Sequence, residues 1–182
     1  MPADYHTHTP FCHHAEGTPQ EYLDAALAAG VTEYGISCHG PAQPEPLDDW
    51  RMMESDLPAY FKWVETARTH ADGQIPVRLG LECDWLPGCE GWIGDLASRA
   101  EWDYLIGSIH YLGGWNFDSP KRLDLWAEAD LEETWTRYWQ EYAAMAKSGL
   151  FDFLGHPDLI KKFSHRPVHR PPHPVRDRRS IV

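Results

Sequence analysis

The chain has 182 residues, 42% of them hydrophobic and 13% aromatic, enough apolar content for one packed core and too much for a disordered chain. Its formal net charge of -12 excludes a duplex nucleic-acid binder, which would need a basic face to neutralise phosphates. An anionic small substrate stays open, because bound metal ions bring their own positive charge to a site.

The chain opens on Asp4-Tyr-His6-Thr-His8. On an extended strand, side chains alternate with period two, so His6 and His8 would share a face and could grip one ion. An isolated His-x-His is a weak signal, since hydrogen-bonded surface histidines produce the same pattern. Of His13 and His14, one is expected to join the pair, because adjacent residues in extended or loop backbone point different ways. Thr18-Pro-Gln-Glu21 then marks a helix start, with Thr18 as N-cap, Pro19 at the first helical position and Glu21 closing a capping box. That helix runs through Tyr22, Leu23, Ala26 and Leu27 until Gly30 ends it.

Tyr34-Gly-Ile-Ser37 reads as a strand ending on Cys38-His39, with Cys38 a small strand-end residue rather than a thiolate ligand. The prolines between Gly40 and Pro46 predict a loop whose length suits a substrate lid. A helix from Ser55 to Ala71 is expected to bury Leu57, Tyr60, Phe61, Val64 and Ala67. Val77-Arg-Leu-Gly-Leu81 is the next strand and ends on Glu82. Asp84, two residues on, shares that face and reads as a solvated carboxylate or one that supports a ligand. A short helix is expected over Trp92 to Ala100, after the Pro87-Gly88 break.

The strand Tyr104-Leu-Ile-Gly-Ser-Ile109 ends on His110, and the glycine-bearing loop beyond it carries Trp115, which suits wall filling and pocket lining equally. The last helix is expected from Asp130 to Lys147. Glu133 would complete a second capping box, Leu131, Trp135, Tyr138, Tyr142 and Met145 would face the core, and Gly149 is the stop. Phe151-Asp-Phe-Leu-Gly155 then ends on His156. After Phe163 the chain turns Arg/Pro/His-rich, and residues 164–182 are expected to form a disordered tail that holds His165, His169 and His173 away from the site.

Strand and helix thus alternate, which predicts a parallel sheet with right-handed crossovers. In such folds the strand C-termini converge, so His39, Glu82, His110 and His156 are expected to meet. Clustered imidazoles with one carboxylate point to zinc, manganese or iron, and the ligands are too many for one tetrahedral ion. Two or three ions can bind a phosphate ester and generate a metal-bound hydroxide, so no side-chain nucleophile is expected. Cys12, Cys38, Cys83 and Cys89 lack the dense spacing of a disulfide framework and read as reduced thiols. With no apolar leader and no long apolar span, the cytoplasm is the expected compartment.

The ordered motifs Asp4-Tyr-His-Thr-His8, Cys12-His-His-Ala15, Gly35-Ile-Ser-Cys-His-Gly-Pro41, Gly80-Leu-Glu-Cys-Asp-Trp85, the run from Gly107 to Asp118, and Gly155-His-Pro-Asp-Leu-Ile-Lys161 resemble the PHP (polymerase and histidinol phosphatase) superfamily. The loop after His110 places the resemblance in the histidinol-phosphatase branch. It covers about residues 1–163 and implies a distorted (β/α)7 barrel, incomplete here at about five β/α units. It further implies a trinuclear metal centre and hydrolysis of L-histidinol phosphate in histidine biosynthesis. The ligands it implies are His6, His8, His14, His39, Glu82, His110 and His156, with Lys161 placed to meet the substrate phosphate. Residues 164–182 hold nothing like the family's last Asp-x-His motif. That end is read as a truncation, a frameshift or a natural short variant, any of which would expose sheet edges and impair activity. The competing readings are a phosphoesterase on nucleotides or single-stranded nucleic acid, and a non-catalytic fragment that needs a partner over its open edge.

Overall fold

The structure is a computed structural model that describes residues 2–45 and 47–168. In chain order the elements are β1 (Ala3–Asp4), α1 (Pro19–Ala28), β2 (Glu33–Ile36), α2 (Leu57–Ala71), β3 (Val77–Asp84), α3 (Glu90–Ala97), β4 (Tyr104–Ser108), β5 (Tyr111–Leu112), β6 (Trp115–Asn116), α4 (Leu123–Glu128), α5 (Leu131–Ser148) and β7 (Phe153–Leu154). Five strands form one parallel sheet in the order β1-β2-β3-β4-β7, and β5 and β6 make a separate antiparallel hairpin. Parallel neighbours cannot be joined by a tight turn, and helical crossovers supply each connection.

The sheet curls. In a flat sheet β1 and β7 would stand four spacings apart, about 19 Å at roughly 4.8 Å each. Yet the rings of Tyr5 and Phe153 approach to 6.0 Å between centroids, and those of His6 and His156 to 5.5 Å. The result is a half-barrel whose concave face is built in two layers. At the N-terminal end of the strands Tyr104 lies across Gly35 and Gly80, where any Cβ would collide with it. Its hydroxyl donates to the Tyr5 carbonyl at 2.8 Å, and its ring stacks on Phe153 with centroids 5.2 Å apart. Glu82 and Asp84, on the same face of β3 as Gly80 by the two-residue period, form the upper layer.

On the convex face α1 and α2 pack against each other and against the sheet, burying Leu23, Tyr60, Val64 and Ala67 with Ile36 and Leu79. Tyr60 is fully buried, and its hydroxyl sits 2.9 Å from the Ile36 carbonyl and 2.7 Å from that of Gly80, tying β2 to β3 through α2.

Local signals in the sequence set most element ends. The Thr18 hydroxyl accepts from the Glu21 amide at 3.2 Å and the Glu21 carboxylate accepts from the Thr18 amide at 2.8 Å, so the capping box of α1 forms in full. At α5 the expected box is replaced by a simpler cap, because the Asp130 carboxylate itself takes the amides of Glu132 and Glu133, at 2.9 and 3.0 Å. α3 begins earlier than expected and ends three residues sooner. The turn after Pro87 closes with the Cys89 amide on the Leu86 carbonyl at 3.0 Å and releases the helix at once, and Ser98 stops it by bonding back to the Asp95 carbonyl at 2.7 Å. The β5–β6 hairpin and α4 were not expected: Gly113 and Gly114, both at positive φ, make the tight reversal that reads in sequence only as a loop.

Within the segment expected to be a tail, His165 packs on the body. Its ring stacks on Trp126 at 4.8 Å and its carbonyl accepts from the Trp135 indole at 3.0 Å. His169 and His173 lie outside the described residues. No helix among the described residues is long and apolar enough to cross a membrane.

Candidate metal centre

Glu82 is wholly buried at the mouth of the half-barrel. Its Oε2 lies 2.9 Å from His39 Nδ1, 3.2 Å from His6 Nε2 and 3.8 Å from His8 Nε2. Its Oε1 lies 3.0 Å from His156 Nε2 and 3.8 Å from His110 Nε2. One carboxylate thus faces five imidazoles, three from beyond the ends of β2, β4 and β7 and two from the segment after β1. His14 completes a further cluster with His8 and His39, whose ligand atoms lie within 4.8 Å of one another.

His156 Nε2 and Glu82 Oε1 form a hydrogen bond at 3.0 Å, but other buried atoms of the cluster are close without being bonded. His39 Nδ1 and Glu82 Oε2 are 2.9 Å apart, yet neither takes part in a well-directed hydrogen bond, and His8 Nδ1 and His156 Nδ1 are also buried without a partner. Leaving buried polar atoms unpaired costs about 1–3 kcal/mol each. A cation removes that cost. Ligand atoms that share one ion on bonds of about 2.1 Å would stand roughly 3.0–3.5 Å apart, and the contacts to Glu82 run from 2.9 to 3.8 Å. The residues present therefore fit divalent ions with imidazole and carboxylate ligands.

Burial pushes the Glu82 carboxyl up, but His39, His156 and His6 outweigh it and hold the group well below the usual carboxylate range. Burial lowers His39 against the pull of Glu82, which favours the neutral ring that a ligand requires.

Around the cluster stands a supporting set. Asp84 Oδ1 bonds His110 Nδ1 at 2.8 Å, which leaves His110 Nε2 toward Glu82. Arg51 is buried and bridges Asp84, at 2.7 Å, to Asp48, at 2.8 Å from its Nε. Asp48 in turn accepts from the Tyr111 hydroxyl at 2.7 Å. Burial raises the Asp84 carboxyl, and Arg51 with His110 more than reverses this, keeping it ionised. The loop after His39, expected as a lid, is thus pinned to β3 through Arg51. Trp50, beside it, lays its ring edge-on to His39 at 4.5 Å and near His110 at 5.5 Å.

All seven expected ligand candidates meet in this mouth. His6 and His8 do so from just beyond β1 rather than on it, since the strand is only two residues long, although the Ser37 amide still bonds the Thr7 carbonyl at 3.0 Å. Of the adjacent pair, His14 faces the cluster, whereas His13, at φ 60°, turns its ring to the Asp49 carbonyl at 2.9 Å. Lys161 Nζ lies 3.5 Å from Asp158 Oδ2. Trp115 packs edge-on against Trp126 at 4.8 Å, with its indole N–H buried and unbonded. Arg51 and Trp50 are the two contributors that the sequence reading missed.

A curled parallel sheet whose strand C-termini gather imidazoles around one carboxylate defines an α/β barrel-type protein with a metal-ligand cluster at its mouth. The family model described as "PHP domain" matches residues 4–177, and the chain belongs to that family. It is 44% identical over 163 residues to a Deinococcus radiodurans protein named "Probable histidinol-phosphatase", covering 89% of this chain and 62% of that one. It is 33% identical over 118 residues to the "Histidinol-phosphatase" of Bacillus subtilis, covering 60% of this chain and 44% of the relative. The chain therefore spans less than two thirds of the length of these curated relatives. Its fold matches the crystal structure of a histidinol phosphate phosphatase from Lactococcus lactis with a TM-score of 0.76 at 22% identity, covering 88% of this chain and 59% of that one. That structure is a complex with zinc, L-histidinol and phosphate.

Proposed function

We propose that the chain hydrolyses L-histidinol phosphate to L-histidinol and phosphate, a step of histidine biosynthesis in the cytoplasm, with two or three divalent ions of zinc, manganese or iron. The observation that carries this reading is the buried Glu82 carboxylate shared among five imidazoles, a constellation that is costly in the absence of cations. The names of the two curated relatives support this choice of substrate.

His6, His8, His14, His39, Glu82, His110 and His156 are the proposed ligands. The bound ions would supply positive charge to the phosphate and acidify water near neutral pH. The chain's own residues position and shield. Asp84 fixes the tautomer and orientation of His110, Arg51 holds Asp84, and Trp50 walls the imidazoles from solvent on one side. Lys161, on the turn following His156, is proposed to meet the substrate phosphate, and Trp115 to line the pocket beyond His110.

The test is phosphate release from L-histidinol phosphate, compared with a nucleoside monophosphate and a short single strand. Release from histidinol phosphate that disappears with a chelator and with His8→Ala supports the reading. Release that survives both, or that favours a nucleic-acid substrate, overturns it.

A further inference from the structure

Behind the imidazole centre two buried thiols meet. Cys12 and Cys38 are both fully buried, and their sulfurs lie with a ring nitrogen of His8 within 4.8 Å of one another. They converge on one backbone residue: the Cys12 thiol donates to the Thr9 carbonyl at 3.0 Å, and the Thr9 amide donates to Cys38 Sγ at 3.4 Å. A backbone N–H aimed at sulfur is the donor a thiolate uses once a metal has taken its proton. His8 has its Nε2 toward Glu82, which leaves Nδ1 as the buried nitrogen without a partner.

A fourth donor is at hand. His14 Nδ1 lies 3.0 Å from the Cys12 carbonyl, which can only accept, so Nδ1 carries the hydrogen and Nε2 the lone pair. That Nε2 is 3.6 Å from Cys12 Sγ. Two sulfurs and two imidazoles form a soft ligand set, unlike the imidazole and carboxylate set around Glu82.

We propose that Cys12, Cys38 and His8 Nδ1, with His14 in reach, form a second cation site for a thiophilic metal such as cadmium or zinc. Binding displaces the two thiol protons to water and leaves a neutral dithiolate site. His8 couples it to the first centre. A neutral imidazole has one lone pair, so a cation on Nδ1 requires hydrogen on Nε2 and removes His8 as a ligand beside Glu82. On this proposal Cys38, read from the sequence as a small strand-end residue, acts as a thiolate ligand, and the site competes with the first centre for His8.

The experiment titrates chelator-stripped full-length protein with cadmium to saturation, following the sulfur-to-cadmium charge-transfer absorption, with X-ray absorption on the saturated sample. The expected result is a band that Cys12→Ser and Cys38→Ser each abolish and that Cys83→Ser and Cys89→Ser leave intact, with two sulfur neighbours on one cadmium. A saturated protein with only nitrogen and oxygen neighbours, or a band that survives Cys12→Ser and Cys38→Ser, overturns the site. Should the variants fail to fold, the sulfur count in the unaltered protein decides alone. Phosphate release is not read, so the fate of the phosphatase reading leaves this result standing.

Discussion

The two layers of the concave face use the same strands and solve opposite problems. In the lower layer Tyr5, Tyr104 and Phe153 fill the space over Gly35 and Gly80, and the Tyr104 hydroxyl has its acceptor. In the upper layer, a few residues further along each strand, Glu82 and its imidazoles are packed as tightly but leave nitrogen and oxygen atoms unpaired. The aromatic layer is complete as protein, whereas the polar layer is complete only with cations.

Substitutions in each layer should therefore have separable effects. Glu82→Gln removes the shared anion and should lower metal retention and phosphate release by about 100-fold or more, while the near-ultraviolet dichroism of the aromatic layer stays unchanged. Elemental analysis with a phosphate assay checks this, and loss of the dichroism in the same variant would join what the comparison separates. Arg51→Met strands Asp84 and Asp48 without their cation and should cost about 3–5 kcal/mol in urea unfolding.

In the metal-free chain Asp84 has a lowered pKa, so its stabilising contribution is present above the unfolded value near 3.9 and fades as pH falls below it. The acid limb of stability should be shallower in Arg51→Met than in the parent. In the lower layer Gly80→Ala pushes a methyl group into the Tyr104 ring and should cost about 1–3 kcal/mol by the same unfolding measurement, with metal bound per folded chain unchanged. Tyr104→Phe removes only the bond to the Tyr5 carbonyl, and about 0.5–1.5 kcal/mol is expected.

The upper layer was largely legible because four of the seven proposed ligands follow a short apolar run. A polar coordinator at the end of a β-strand needs no distant information to be noticed, and His39, Glu82, His110 and His156 all carry that mark. His6 and His8 were found for a partly mistaken reason, since their common direction comes from pairing with the segment after β2 and not from a long first strand. Arg51 and Trp50 could not be found this way. They sit in an aperiodic loop, and their meaning arises only when Arg51 meets Asp84, 33 residues away. The lower layer left a trace only as glycines in strands, and nothing local tells that Tyr104 covers both Gly35 and Gly80. The β5–β6 hairpin and α4 escaped because elements of two to six residues are too short to show a period.

Glu82 and the surrounding imidazoles are proposed to hold divalent cations. Elemental analysis of the purified chain, before and after chelation and in Glu82→Gln, tests this most directly. Two or three ions per unaltered chain are expected, removed by the chelator and largely missing from the variant. Fewer than one ion per chain under metal-replete conditions, or equal metal in parent and variant, would contradict it.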